Sequence, residues 1–228
     1  MKQTLVAVLC VLVGASLTGC AVSALDKLKG LESSQQFTKI EAEPIPGDCA
    51  GSGRGSEECA QIEEIHARAC LTLAQQESAP GAACPPATDS ARRRLKCAAD
   101  GFKEAAVGGH FSSEQRNEFT QMRAQALYCG ATLGARADGL ASVREASREL
   151  ATLPPNPRRD LLAASAALYV ANTDDVSGHE RCDAAQRAVD LANRGLAGGA
   201  PGALQDGLTN TKRLALEVGG RLAGCRVH

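Results

Sequence analysis

The chain of 228 residues contains no tryptophan, four phenylalanines and two tyrosines. Base-stacking grooves and carbohydrate platforms usually present several aromatic rings, so neither is predicted here. The charge is balanced, with 25 basic and 26 acidic residues and a formal net charge of −1. Nucleic-acid partners are therefore not expected, because they are held by clearly basic surfaces. The short run Arg92-Arg93-Arg94 does not change this, and we interpret it as a solvated helix face.

The sequence also lacks a membrane-spanning segment, a strand pattern and a catalytic motif. A spanning helix needs about 20 apolar residues, and no stretch reaches that length. No sustained alternation of β-branched and polar residues predicts a strand. Neither Gly-x-Ser-x-Gly nor Cys-x-x-Cys occurs, so nothing indicates a nucleophile elbow or thioredoxin-like chemistry. We expect neither an enzyme nor a cofactor.

The first residues have the features of an export signal. Lys2 is followed by the apolar run Leu5–Leu17, which is long enough for a signal-peptide core and too short for a permanent anchor. The run leads directly into Leu17-Thr18-Gly19-Cys20. The alternative is an ordinary signal peptide that is cleaved elsewhere, with Cys20 in a disulfide.

The motif at residues 17–20 resembles the lipobox of bacterial lipoproteins. The resemblance implies that the Cys20 thiol carries a diacylglycerol, that residues 1–19 are removed and that the new amino terminus is acylated with palmitate. In that family an aspartate after the lipidated cysteine favours retention in the inner membrane. Ala21 stands at this position, which implies delivery to the outer membrane, facing either the periplasm or the cell surface.

The number of cysteines agrees with lipidation of Cys20. Ten are present, and Cys10 would leave with the leader. A lipidated Cys20 leaves an even set, which in an exported chain predicts four disulfides. If helices about 57–76 and 90–107 form an antiparallel hairpin, Cys70 lies opposite residue 96, next to Cys97, which predicts that pair. The last hairpin, about 180–197 against 203–225, places Cys182 opposite residue 218, two turns short of Cys225, so we expect a Cys182–Cys225 bond only with frayed helix ends or an axial offset. The pairing of the rest stays open among Cys49, Cys59, Cys84 and Cys129.

The predicted domain organisation is a leader at 1–19, a lipidated tether at 20–55 and a helical domain at 56–228. Pro44, Pro46 and a cluster of glycine and serine interrupt any long element in the tether. From Ser56 onward, apolar residues recur with helical period and predict about seven helices. Expected helix starts are the cap at Ser56, helices from about 90 and 138, the capping boxes Ser112–Gln115 and Ser177–Glu180, the Asn156-Pro157 start and Pro201.

These helices are expected to form an all-α body braced by disulfides, either as stacked antiparallel αα-hairpins or as an irregular bundle. Predicted helix starts recur so that a helix pair repeats in about 40–45 residues, a spacing that weakly resembles HEAT-like arrays. A tetratricopeptide-like stack is a weaker resemblance, because that repeat is shorter and its aromatic positions are missing. Extended helical stacks commonly bind proteins.

Candidate chemistry is sparse. Cys59, Glu63, His66 and Cys70 share one helix face, but a single Glu-x-x-His is not a di-iron motif, and exported cysteines pair with each other. We therefore predict no metal site. The expected function is an interaction scaffold that binds an unidentified envelope or secreted protein within an envelope or secretion assembly, or an immunity protein. The alternative is an envelope enzyme or small-ligand-binding lipoprotein with a site assembled across helices.

Overall fold

A computed structural model describes residues 18–50, 55–79, 82–106, 109–134 and 136–228, apart from the side chains of residues 18–20, 50 and 136–138. This part of the chain is helical and has no strand, so the prediction of an all-α fold is confirmed. It contains ten helices rather than seven, because three helices precede residue 56. In chain order they are α1 Thr18–Ser33, α2 Phe37–Ala42, α3 Gly47–Ala50, α4 Glu57–Gln76, α5 Asp89–Ala105, α6 Ser113–Thr132, α7 Arg136–Thr152, α8 Pro157–Ala171, α9 Gly178–Ala197 and α10 Gly202–Arg221.

Three of the predicted helix starts have the expected capping geometry. The Ser56 side chain accepts a hydrogen bond from the backbone of α4. Ser112 and Gln115 form the complete reciprocal capping box of α6. Asn156 caps α8, and Pro157 occupies the first helical position. These side chains satisfy backbone N–H groups that have no partner inside their helices, and so they set where the helices begin.

The second predicted capping box forms only in part. Ser177 accepts a hydrogen bond from the backbone N–H of Glu180 and caps α9. The Glu180 carboxylate lies 2.5 Å from Arg144 of α7 instead of supplying the reciprocal bond. Glu180 therefore forms an ion pair between helices rather than the second bond of a capping box. The local sequence does not show which of the two contacts it makes.

Each helix from α4 to α10 packs antiparallel against the next helix in the chain. In the first pair, Cys70 of α4 is bonded to Cys97 of α5, while the earlier Ala67 approaches the later Gly101. Residue numbers therefore rise along one helix as they fall along the other. Because successive helices alternate in direction, helices two apart in the chain are parallel.

The parallel helices α4, α6, α8 and α10 lie side by side, and we call them the four-helix face. Arg68 of α4 is 3.3 Å from Glu118 of α6. The Tyr169 hydroxyl of α8 donates to the Ala131 carbonyl of α6 at 3.3 Å. Further along, α8 also packs against α10. The face therefore continues from one end of the body to the other.

Small residues allow the helices to approach closely. A Cβ atom added to Gly101 would lie 2.9 Å from the Cβ atom of Ala67 and 3.0 Å from the Glu63 carbonyl oxygen. At Gly139 an added Cβ atom would lie 2.8 Å from the Ala131 carbonyl oxygen. Any side chain at either glycine would push two helices apart, because packed backbone has little room to move.

The segment predicted to be a tether packs onto α4. Leu25, Leu28 and Ile40 are buried in one cluster with Ile62 and Ile65. Residues 21–49 therefore belong to the folded body rather than to a tether, and residues 51–54 lie outside the described part of the chain. Pro44 and Pro46 lie between α2 and α3, as expected of helix breakers, but they do not keep the segment from packing.

Polar contacts hold the same segment in place. Arg94 of α5 bonds to Glu41 at 2.9 and 3.0 Å and to Glu77 at 2.5 Å. Lys27 lies 2.6 Å from Glu43. Our interpretation of the arginine run as a solvated face therefore fails at Arg94, which joins the amino-terminal segment to the first hairpin.

The described residues contain four disulfides with Cα–Cα distances between 5.2 and 6.1 Å. Cys70–Cys97 is the pair that the hairpin register predicted, and Cys182–Cys225 is the pair that was expected only with frayed helix ends or an axial offset. Helix α10 ends at Arg221, so Cys225 lies beyond the helix and is free of its axial register. The other pairs, which the sequence left open, are Cys49–Cys59 and Cys84–Cys129.

A buried ionic network joins α7, α8 and α9. Asp160 is 1% exposed and accepts two hydrogen bonds from Arg194, at 2.7 and 3.0 Å, and one from Arg159 at 2.8 Å. Arg159 also donates to the Leu150 carbonyl at the end of α7, at 2.8 Å. Each buried charge therefore has partners, which is the condition under which buried ions are tolerated.

We predict that Asp160→Ala lowers the free energy of unfolding by about 3–5 kcal/mol, because it leaves Arg159 buried without its counter-charge. Urea denaturation followed by circular dichroism measures this. Asp100→Ala is the matched control, since Asp100 pairs with Lys96 while 63% of its side chain is exposed. That change should cost no more than about 1 kcal/mol. Equal losses in the two variants would contradict the role assigned to the network.

Candidate functional site

The predicted lipid site adjoins the folded body directly. Residues 1–17, most of the predicted leader, lie outside the described residues, as does the side chain of Cys20, although its backbone lies in α1. The next residue, Ala21, is 4% exposed and packs in the same cluster as Leu25. Within the described ranges, no helix has both the length and the apolar character needed to cross a bilayer.

The helix face that could be drawn as a metal site is occupied by disulfides. Cys59 is bonded to Cys49, and Cys70 is bonded to Cys97. Neither sulfur is therefore a thiolate ligand. In the described part of the chain, no group of three or more histidine, cysteine, aspartate or glutamate side chains is placed to hold a metal ion.

The four histidines occupy separate environments. His66 is buried in α4, whereas His110, His179 and His228 are exposed. The His110 ring Nε2 is 2.5 Å from the Gly55 carbonyl oxygen, and His179 is 3.6 Å from Asp183. None of the four lines the groove described below.

His66 is the buried titratable group of α4. It is 5% exposed, and its Nε2 has no hydrogen-bond partner among the described residues. Burial lowers the pKa of His66, because the charged ring would lose its hydration, while the Glu43 carboxylate acts weakly in the opposite direction. The neutral ring is therefore the favoured form in the folded protein.

A groove opens on the four-helix face between α6 and α8, beside the loop that joins α7 to α8. Its volume is about 300 Å³. We call it the amide groove, because side-chain amides dominate its wall. Its lining residues are Asn117, Glu118, Gln121, Met122, Gln125, Leu153, Pro154, Asn156 and Arg158.

The wall on α6 is a row of amides at every fourth residue. Asn117, Gln121 and Gln125 follow one another along the helix face that borders the groove. None of their side chains makes a hydrogen bond to another residue in the described part of the chain. We call these three residues the amide row. Each amide offers one acceptor oxygen and a two-hydrogen donor.

The floor and the opposite wall come from α6, from the loop between α7 and α8, and from the start of α8. Met122, Leu153 and Pro154 form the apolar part of the lining. Asn156 uses its side-chain oxygen to cap α8 and so is held in one position. Arg158 is exposed and stands at the same end of α8.

Contacts deeper in the body fix the spacing of α6 and α8. Tyr128 of α6 packs against the cluster that contains Ala166 and Val170 of α8, and this burial raises the pKa of Tyr128. The Tyr169 bond to the Ala131 carbonyl lies about one turn further along. The groove is therefore built on two helices whose relative position is set elsewhere in the fold.

Two charges border the amide groove. Glu118 lies 3.3 Å from Arg68, but Arg68 also pairs with Glu64, so one positive charge is shared between two carboxylates and part of the Glu118 charge remains. The same Arg68 guanidinium lies 5.7 Å from the ring centre of Phe119 and bonds to Glu64, so it is held from three sides. Arg158 makes no ion pair within the described ranges and leaves its end of the groove positive.

The sequence did not predict this groove. The sequence does contain a pattern that indicates a polar helix face, because asparagine and glutamine recur at every fourth position from Asn117 to Gln125. Which neighbouring element faces that row depends on the packing of α8, which the local pattern does not encode.

No protein-family model, no curated protein and no solved structure matches the chain.

The buried His66 predicts that stability falls on acidification. Its folded-state pKa lies below the unfolded value of about 6.5, so the unfolded state binds more protons and stability is lost as the pH falls through that value. Between pH 7.5 and 5.5, His66→Leu should reduce the pH-dependent loss measured by urea denaturation. For one histidine the slope is at most about 1.4 kcal/mol per pH unit.

The control variant is His179→Leu, because the ring of His179 is exposed on α9 and should not contribute. If wild type and His66→Leu lose the same free energy over this pH range, His66 is not the group that titrates.

Proposed function

We propose that this protein is an outer-membrane lipoprotein, anchored through lipid on Cys20, whose helical body is a protein-interaction scaffold in an envelope or secretion assembly. The observation that carries the anchor is the motif Leu17-Thr18-Gly19-Cys20, placed directly behind a charged and apolar leader. The disulfides support export, because such bonds form and persist in oxidising compartments.

The arrangement of the helices supports the scaffold. Helices α6, α8 and α10 begin at Ser113, Pro157 and Gly202, which are 44 and 45 residues apart. We infer that the hairpins form a stack with this repeat length, in which α1, α2 and α3 cover one end and α10 covers the other. Stacks of this kind expose one long helical face to partners, and the amide groove lies on that face.

The packing of α1 supports an anchor that lies close to the folded body. Ala21 is buried in the folded cluster and directly follows Cys20, so lipid on Cys20 would have no tether between it and the body. An anchored body would then lie against the leaflet and would not diffuse on a long tether. A partner would accordingly be met near the membrane surface.

Cys20→Ser should abolish acyl labelling and leave unprocessed precursor, because serine lacks the thiol that accepts the lipid. The measurement is metabolic labelling with an alkyne fatty acid in a Gram-negative host, followed by gel analysis and density-gradient separation of the membranes. Wild type should be labelled and should sediment with the outer membrane.

Cys225→Ser provides the control, since it also removes one thiol but lies far from the leader in sequence. It should be processed and labelled like wild type. Normal labelling of Cys20→Ser would show that the chain is not a lipoprotein anchored at this residue.

A further inference from the structure

The amide row has a spacing that matches an extended peptide. Residues four apart on a helix are separated by about 6.0 Å along the axis, since each residue rises about 1.5 Å. Alternate residues of an extended strand are separated by about 6.6–6.8 Å. The difference is below about 1 Å per step, which the rotatable side chains of Gln121 and Gln125 can absorb.

The chemistry of the row also matches a peptide backbone. In an extended strand each residue directs its own N–H and carbonyl to the same edge, and the next residue directs its pair to the opposite edge. A side-chain amide presents the complementary acceptor and donor. Three amides in register can therefore bond to three alternate residues along one edge of a strand. Asn117, Gln121 and Gln125 have no such partner among the described residues of their own chain.

The rest of the groove suits the side chains of such a strand. Alternate side chains of an extended peptide point to opposite sides, so one set faces the floor formed by Met122, Leu153 and Pro154. A volume of about 300 Å³ holds a short segment and not a folded domain. The charge of Arg158 favours an acidic residue at its end of the segment. No aromatic ring lines the groove, which disfavours a sugar.

We propose that the amide groove binds an extended segment of a partner protein through the backbone of that segment, with the amide row as the hydrogen-bonding edge and an acidic residue of the segment at the Arg158 end. This deepens the scaffold function and rests on it, because it names the class of partner that the four-helix face recognises.

The test is selection from a phage-displayed library of random dodecapeptides on the full chain, purified from membranes in detergent. Affinities of the enriched peptides are then measured by fluorescence anisotropy. The triple variant Asn117→Ala, Gln121→Ala and Gln125→Ala should bind them at least ten-fold more weakly. The matched control replaces the exposed amides Gln75, Asn193 and Gln205 by alanine, and it should bind like wild type.

A second measurement uses wild-type protein only and does not depend on the folding of a variant. Each backbone nitrogen of an enriched peptide is methylated in turn, which removes one donor and keeps the side chains. The proposal expects loss of affinity at alternate positions. Loss at every third or fourth position would indicate a helical ligand and would overturn the proposal.

Two further results would also overturn it: no enrichment on wild-type protein, or equal binding by the amide-row variant and wild type. Neither result touches the lipid anchor, which acyl labelling of Cys20→Ser tests separately. Loss of labelling together with failed peptide selection would leave a lipoprotein whose scaffold surface lies elsewhere.

Discussion

The helices of this protein pack against one another mainly through alanine and glycine, and the rest of the structure depends on this close packing of small residues. Fully buried positions such as Ala67, Ala98, Ala146 and Ala166 let neighbouring backbones approach closely. Each such residue removes little apolar surface from water, and the hydrophobic contribution scales with that area. The largest fully buried side chains are few, among them Phe102 and Phe119. A body packed in this way needs other interactions to offset the conformational entropy of the chain.

Two kinds of interaction supply this stability, and they occupy different parts of the molecule. The disulfides close the first and last hairpins, attach the amino-terminal segment to α4 and attach the loop before α5 to α6. Helices α7 and α8 contain no cysteine. Ion pairs and hydrogen bonds of arginine side chains connect them to their neighbours instead. Arg123 of α6 bonds to Glu145 and Glu149 of α7 and to the Ala99 carbonyl. Asp160 of α8 bonds to both Arg159 and Arg194. Because α7 and α8 carry no disulfide, these ion pairs act there together with the apolar packing around Val143 and Leu150, and we expect the middle of the body to be sensitive to loss of a single buried charge.

How much of this the sequence predicted depended on whether the signal was local. Helix existence, most caps and the Cys70–Cys97 bond followed from period, capping residues and hairpin register. The Cys182–Cys225 bond also required that α10 end at Arg221, which the register alone does not give. The packing of residues 21–49 did not, because Leu25, Leu28 and Ile40 are isolated apolar residues with no long stripe. The pattern that would have predicted this packing lies in α4, where buried residues occupy two faces of the helix. One face carries Ile62 and Ile65 toward the amino-terminal segment, and the other carries Cys70 and Ala74 toward α5. A helix that is apolar on two sides requires two covering layers.

The amide groove depends on contacts between helices far apart in the chain, so no local pattern predicted it.

If disulfide bonds supply the stability that a large apolar core would otherwise give, the stability of the protein should depend on its oxidation state. Urea unfolding of the oxidised and the reduced protein measures this dependence. Each disulfide is expected to contribute about 2–4 kcal/mol by restricting the unfolded chain. Four such bonds together match the usual stability of a domain, about 5–15 kcal/mol. Protein that has been reduced and alkylated should therefore lose its cooperative unfolding transition in urea at 37 °C, while the oxidised protein keeps it. A reduced protein that unfolds cooperatively at the same urea concentration as the oxidised one would contradict this account.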